Sequence, residues 1–190
     1  MSEQTEVLKL YMVDDSFIQD IHDNLNQHVF SNVNPGYNHT RKYLGVLLAI
    51  NGFSYYAPLS SPKNSDFIDV KGHRVIRNSI LPIIRMVETD ENGQRHLLGT
   101  IKLGNMIPVP AEKLIDYNLD NEPDSDYKDL VLKEKRFINR NKEMITSFAE
   151  KLYNEKCGTT AIEKGYLKNT FDFKAFEDYT KRHYCLHKEQ

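Results

Sequence analysis

The stretch from Val46 to Lys63, VLLAINGFSYYAPLSSPK, limits the possible folds more than any other part of the chain. It opens with an apolar run, Val46-Leu47-Leu48-Ala49-Ile50, and breaks at Asn51-Gly52. Asn and Gly both tolerate positive φ, so this dipeptide predicts a two-residue turn. Phe53 to Leu59 then reads as the returning strand, rich in aromatic residues. Pro58 donates no ladder hydrogen bond, so it suits an edge or strand-end position better than a central one. Beyond the strand come Ser60, Ser61, Pro62 and Lys63. The chain thus carries two hydroxyls and one ammonium just past a stiff hairpin. Such groups can be held against a phosphate, since hydroxyls donate to its oxygens and lysine adds a mobile charge. The same four residues also make an ordinary polar turn.

The segments on either side read as short strands and helices. Val7 to Val13 is an apolar-biased strand, and Asp14-Asp15 can cap a helix carrying Phe17, Ile18, Ile21 and Leu25 at helical spacing. Asn32 to His39 is a loop by its Asn, Pro and Gly content. Tyr37 lies in that loop, with Arg41 and Lys42 close behind. Tyrosine beside two cations can stack on a base while the cations hold phosphates, or it can simply cover an edge of the sheet. Asn64 to Lys71 looks irregular. A third strand is predicted over Ser79 to Val87, with Pro82 placing it at an edge or bulge. Asp90-Glu91-Asn92-Gly93 is a turn, and Leu97 to Leu103 is the paired strand. Met106 to Val109 is another short strand. Several short strands with turns between them predict a small antiparallel barrel or half-barrel.

Helices follow. Ser125 or Asp126 is a reasonable N-cap for a stripe through Tyr127, Leu130, Val131, Glu134, Phe137 and Ile138. Asn139-Arg140-Asn141 interrupts it, and Met144 to Tyr153 resumes it. Cys157-Gly158 is a stop, with glycine suited to the left-handed position after a helix. Phe171 to Tyr184 is a last amphipathic helix. The expected organisation is a single domain over residues 1–190, with a β-rich core at about 7–110 and a helical layer at about 124–184.

Net charge is only −2, so the distribution of charge says more than its sum. Lys63, Lys71, Arg74, Arg77 and Arg85 outnumber Asp66 and Asp69 in one stretch. Lys128, Lys133, Lys135, Arg136, Arg140 and Lys142 outnumber Asp129 and Glu134 in another, and an acidic segment from Asp116 to Asp126 separates them. Segregation of this kind makes either a basic groove with an acidic rim or solvated faces. No run approaches the ~20 apolar residues of a membrane span. The opening Met-Ser-Glu-Gln-Thr-Glu lacks the features of a signal peptide, and two cysteines are too few for a disulfide framework. A reducing cytoplasm is the expected compartment.

Most catalytic machinery is missing. There is no Gly-rich phosphate loop, no His-Glu-x-x-His, no paired Cys-x-x-Cys and no Gly-x-Ser-x-Gly elbow. His183, Cys185 and His187 alternate near the end of the chain, but with no fourth ligand evident no metal or cofactor is assigned. Cleavage of RNA needs little of this equipment. The ribose 2′-hydroxyl is a built-in nucleophile, and the protein has only to align it, move a proton and stabilise charge on the phosphorane.

Ala57-Pro58-Leu59-Ser60-Ser61-Pro62-Lys63 resembles the Ala-Pro-Leu-(Thr/Ser)-Ser-Pro-Lys run of the ToxN/AbiQ family, the ribonuclease toxins of type III toxin–antitoxin and phage-abortive systems. The likeness continues in family order from about Leu8 to Leu152. It takes in the first strand and helix, the Tyr37 loop, Tyr43-Leu44-Gly45, Gly99 through Pro108, Tyr127-Lys128, and Phe137-Ile138 with Asn141 and Ile145.

The resemblance implies an α+β fold, a compact antiparallel β-barrel core similar to Kid/MazF toxins and elaborated with helices. It implies a cytoplasmic endoribonuclease that needs no metal and leaves a 2′,3′-cyclic phosphate. It also implies inhibition by a small repeated RNA pseudoknot that assembles with the toxin. By position, Ser61 is the central hydroxyl, Ser60 stands beside it, Lys63 is the site lysine, Tyr37 matches a loop tyrosine, and Arg41 stands where a relative has lysine. Phe17 stands where a tyrosine is expected near the end of the first strand. The expected roles are stabilisation of the phosphorane by Lys63 and Arg41, orientation and proton relay by Ser61 with Ser60, and nucleotide stacking by Tyr37. Lys42, Lys128, Lys133, Lys135 and Arg136 are the expected RNA-binding residues. A non-catalytic RNA-binding module and a protein-binding inhibitor on the same barrel are the competing readings.

Overall fold

The computed structural model describes residues 8–29, 41–158 and 164–185. Strand β1 (Lys9–Val13) leads into helix α1 (Asp15–Asn24). A carboxylate oxygen of Asp14 accepts the Phe17 N–H at 3.0 Å, which satisfies a donor that the first helical turn leaves open. Phe17, Ile18 and Ile21 face inward and are buried. Phe17 therefore belongs to the first helix and not to the end of the first strand, and its ring meets Tyr184 edge-on at 4.9 Å.

Strands β2 (Tyr43–Ile50) and β3 (Phe53–Ser60) form the predicted hairpin. Asn51 and Gly52 take φ of 54° and 80°, the type I′ geometry that matches strand twist. The segment expected to be irregular is ordered. A 3₁₀ turn at Asn64–Asp66 is followed by a separate hairpin of β4 (Phe67–Val70) and β5 (His73–Ile76). Its turn is Lys71-Gly72, at φ 54° and 82°, with the Gly72 N–H donating to Asp69 at 2.9 Å.

Pro82 delays the next strand, β6, to Ile83–Thr89, and it pairs with β7 (Arg95–Lys102). Asp90 shapes the turn between them by accepting the N–H groups of Asn92 and Gln94 at 2.9 and 2.8 Å. Short β8 (Ile107–Pro108) and β9 (Leu114–Asp116) complete the strands.

The seven-stranded sheet runs β6-β7-β3-β2-β1-β9, with β8 also pairing β3, and each of its pairings is antiparallel. Among the described residues its two edge strands do not pair with each other, so of the expected barrel or half-barrel the sheet is the open form. The strand carrying Pro58 is central, not an edge. The Leu59 N–H donates to Lys42 O at 2.8 Å, and strand alternation turns the Pro58 nitrogen to the opposite side. There the paired stretch of β3 and β7 has stopped at Leu59 and Ile101, and after Lys102 the chain coils through Leu103–Asn105 before β8 begins. The missing donor falls where no ladder needs it.

Helix α2 (Ser125–Arg140) lies against β6 and β7, α3 (Lys142–Cys157) against β2, and α4 (Phe173–Thr180) against β8. Asp124, one residue before the expected caps, accepts the N–H groups of Asp126 and Tyr127, each at 3.0 Å. Caps of this type stabilise a helix by about 1 kcal/mol. Gly158 ends α3 in extended backbone, φ −72°, not in the left-handed region. A Cβ there would meet Asn154 O at 2.8 Å, so glycine answers a close approach.

Val131, Ile138, Ile145 and Leu152 on α2 and α3 join Tyr55, Ile84, Met86 and Ile101 of the sheet in the core. Each fully buried side chain of this size stabilises the fold by about 1.5–3 kcal/mol. One carboxylate is built into this layer. Glu177, 5 % exposed, accepts from the hydroxyls of Tyr55 (2.8 Å) and Tyr153 (2.6 Å) and from the Lys174 amine (2.9 Å). Asn51 at the hairpin turn donates to the same Tyr153 hydroxyl at 3.0 Å. Among the described residues no helix is long and apolar enough to cross a membrane.

Candidate active site

Ser60 is the last residue of β3 and lies opposite Thr100 of β7, which in turn lies opposite Arg85 of β6. Residues opposed across an antiparallel pair share a face, so Ser60, Thr100 and Arg85 form one row across three strands. The Thr100 hydroxyl donates to Ser60 O at 3.4 Å. Two residues further along β7, Lys102 returns to the same face, opposite Ile83. The intervening Ile101 and Leu59 point the other way, into the core.

The loop beyond Ser60 is clamped onto this face by Asp66. One Asp66 oxygen accepts the Lys63 N–H at 2.9 Å, and the other meets the Arg85 guanidinium at 3.0 Å. The two side chains of this ion pair are 2 % and 9 % exposed. Arg85 also donates to Asn78 O at 2.9 Å, while its N–H donates to the Ser79 hydroxyl at 2.8 Å. Ser61, Pro62 and Lys63 are left exposed above the clamp. The half-buried Arg41 donates to Leu59 O at 2.9 Å, which brings its charge to the end of β3.

Cations dominate this corner. Lys102 is half-buried, and burial pulls its amine below the usual lysine range. Asp66 opposes that shift, and the neighbouring charges of Lys63, Arg85 and Arg41 add to it. Among the described residues, the Arg85 guanidinium pairs with the buried Asp66, and Lys102 lies within reach of the charges of Lys63, Arg85 and Arg41. An anion entering this corner meets hydroxyls at the strand end and a local excess of positive charge.

Lys42 behaves differently from Arg41. Adjacent residues of extended chain face opposite sides, and Lys42 turns inward to 5 % exposure. Its amine lies over the rings of Tyr117 at 4.2 Å and Tyr127 at 5.6 Å. Burial lowers its pKa, with Glu122 and Glu134 opposing. The expectation that Lys42 contacts RNA directly gives way to a buried position beneath the site. Glu134 of α2 is its buried acidic neighbour. Burial pushes that carboxyl up to about 7, partly offset by Lys42. Gly99 lets α2 come this close, since a Cβ there would lie 2.7 Å from a Glu134 oxygen and 3.1 Å from Ser60 O.

Residues 9–181 match the family described as Toxin ToxN, type III toxin–antitoxin system. The chain belongs to the ToxN toxin family. Among similar proteins, Endoribonuclease ToxN of Pectobacterium atrosepticum is 28 % identical over 172 residues, covering 90 % of this chain and 91 % of that protein. Endoribonuclease ToxN of Bacillus thuringiensis subsp. kurstaki is 31 % identical over 145 residues, covering 74 % and 67 %. A solved structure from work on selective toxin inhibition by a non-coding RNA pseudoknot in bacterial type III toxin–antitoxin systems shares the fold. Its TM-score is 0.73 at 24 % identity, covering 93 % of this chain and 98 % of that one.

In this ToxN-family chain, Ser60, Ser61, Lys63 and Arg41 all lie at or just beyond the end of β3. Tyr37 lies outside the described residues. The basic residues of α2 lie on the helix that packs against β6 and β7. Lys133 and Arg136 turn to Glu88 of β6, at 3.2 and 4.0 Å, while Lys135 is exposed and Lys128 half-buried. His183 stacks on Tyr179 at 4.2 Å, and His187 lies outside the described residues. No group of three or more potential metal ligands forms among the described residues. Sequence reasoning passed over Asp66, Arg85, Lys102 and Glu134 as site residues. A lone lysine inside the apolar run LLGTIKL was the available signal for Lys102. Asp66, an acid within a basic stretch, was the signal for the clamp.

Proposed function

We propose that this ToxN-family chain, a single toxin domain, is a metal-independent endoribonuclease that cleaves RNA through the substrate's own 2′-hydroxyl. The 2′-oxygen attacks the adjacent phosphorus, the P–O5′ bond breaks, and the 5′-oxygen leaves with a proton. The products carry a 2′,3′-cyclic phosphate on one side of the cut. The observation that carries this reading is the meeting of two hydroxyls with four basic side chains at the clamped end of β3. Lys63 and Arg41 stabilise charge on the phosphorane. Ser61, beside Ser60, orients the scissile phosphate first and relays a proton second, because a serine hydroxyl is too weakly acidic to act as an efficient base. Tyr37 stacks on the nucleotide. No cofactor takes part in these steps.

The partners are two RNAs, the substrate and a small repeated pseudoknot that inhibits the toxin and assembles with it. Lys128, Lys133, Lys135 and Arg136 on α2 offer that antitoxin a basic face. The place of action is the cytoplasm, and the biological role is abortive defence against phage. The sheet is an opened relative of the Kid/MazF core. Support for that reading is its antiparallel order and the way β7 and β8 both pair β3 across a break.

The test is incubation of the purified chain with RNA in EDTA, with the termini of the products identified. Cyclic phosphate ends are expected, and Ser61→Ala should lower the rate by roughly 10²–10³. RNA bound but recovered intact would leave a non-catalytic binding module. Full activity of Ser61→Ala would remove Ser61 from the mechanism.

A further inference from the structure

Lys102 differs from the other cations of the corner. Arg85 is held by Asp66 and Asn78, and Arg41 donates to Leu59 O. Among the described residues, no hydrogen bond or ion pair engages the Lys102 amine, and that amine keeps some contact with solvent. The register of β6, β7 and β3 sets Lys102 on the face that carries Ser60, Thr100 and Arg85. The side chain is half-buried, so it has less freedom than the exposed Lys63. The charges acting most strongly on it are three cations and the single carboxylate of Asp66. A lysine half-buried among like charges is unfavourable until an anion arrives. With Ser60 one same-face step away on β3 and Lys63 in the loop that follows it, the anion that fits is a phosphate diester.

We propose that Lys102 is a second phosphate-holding lysine of the site, gripping the RNA backbone from β7 while Lys63 approaches from the loop after β3. This rests on the endoribonuclease reading for what becomes of the bound phosphate, but not for the binding itself. Lys102 adds a point charge that the Ala-Pro-Leu-Ser-Ser-Pro-Lys run does not supply. It comes from a rigid strand, whereas Lys63 comes from a loop, so the two hold the backbone between a fixed and an adjustable contact. Release of counterions on binding makes such a contact visible as salt dependence.

The experiment compares Lys102→Met, which keeps the apolar stem, and Lys102→Gln with Lys102→Arg, which keeps the charge. Cleavage of a short RNA in EDTA gives kcat/KM. Binding of the same RNA over a range of salt is measured in the Ser61→Ala background, where cleavage is slow enough to complete the measurement. Met and Gln should each lower kcat/KM by roughly 10²-fold and flatten the salt slope of binding by about 0.7, the value for one phosphate contact on a single strand. Arg should recover most of both. Unfolding temperature should not fall in Met or Gln, since each removes a charge from a repelling cluster. Wild-type kcat/KM together with an unchanged salt slope in Met and Gln would overturn the proposal. If the wild-type chain cuts no RNA at all, the endoribonuclease reading fails, while the slope still decides the role of Lys102: lost in Met, it stands; kept, it falls.

Discussion

Asp66 and Glu177 are both buried carboxylates, 1 % and 5 % exposed, yet their surroundings differ in kind. Burial alone would raise the Glu177 carboxyl, but hydrogen bonds from Tyr153, Lys174 and Tyr55 hold it below the usual range. One acid meets one base and two neutral hydroxyls, and the knot between α3, α4 and β3 is balanced. Asp66 instead stands near Arg85, Lys63, Lys102 and Arg41, a corner with more positive than negative charge among the described residues. A balanced knot needs nothing further and serves the fold. An unbalanced one is stable only because the rest of the domain tolerates it, and it gains on meeting an anion. The difference separates a structural carboxylate from one that organises a binding site.

The sharpest way to break this comparison is to remove Asp66. Asp66→Ala leaves Arg85 buried without its counter-charge, a change that costs about 3–5 kcal/mol, and frees the loop that carries Ser61 and Lys63. Chemical denaturation and RNA cleavage should both report the loss. Stability within 1 kcal/mol of wild type, roughly the worth of an exposed pair, would show that the clamp is not what holds the corner.

Glu134 provides an intermediate case, a buried carboxyl with Lys42 as its nearest charge and no set of donors like that around Glu177. It keeps its proton in the folded chain up to about 7, against 4.5 for an ordinary glutamate. Between those values the folded state binds a proton that the unfolded chain has released, so this group's contribution to stability falls as pH rises across the window. A shift of this size corresponds to roughly 3 kcal/mol. Urea unfolding at pH 5 and pH 8 should therefore show a smaller difference for Glu134→Gln than for the wild type. Equal differences in the two proteins would mean that Glu134 titrates normally.

The smallest expected effect concerns the balanced knot itself. Tyr55→Phe removes one of three donors to Glu177 while Tyr153 and Lys174 remain. Stability should drop by about 1–2 kcal/mol and kcat/KM for RNA should hold, because the knot lies in the fold and not in the site. A cleavage rate that fell in step with stability would erase the distinction between the two carboxylates.

Local signals in the sequence were enough for the elements whose causes are local. Asn51-Gly52 marked a turn, Asp14 a cap, and the apolar run before the turn with the aromatic run after it the hairpin that ends in Ser60. Lys71-Gly72 adopts the same turn geometry, but a lysine in that place is a weaker signal than an asparagine, and its strands are only four residues long. The choice between barrel and half-barrel was not legible, because whether β6 meets β9 depends on twist and curvature accumulated over the whole sheet. Among site residues, those on one contiguous run, Ser60, Ser61 and Lys63, were legible together. Asp66, Arg85 and Lys102 were not, since their relation comes from strand register between distant segments. Lys42 was misjudged for a simpler reason. Its neighbour Arg41 has the same charge, and only the direction of alternation tells which of the two faces inward.

Pro58 turns its nitrogen to the side of β7, just past the last β3–β7 pair at Leu59 and Ile101. There the prolyl ring does no harm. Sliding β3 by two residues along its partners would keep every side chain on its proper face, yet it would set proline against a ladder that requires an N–H. The mistake is penalised by the backbone itself, before any packing is judged. The chain thus carries its own check on the register that sets Ser60 beside Thr100 and Arg85.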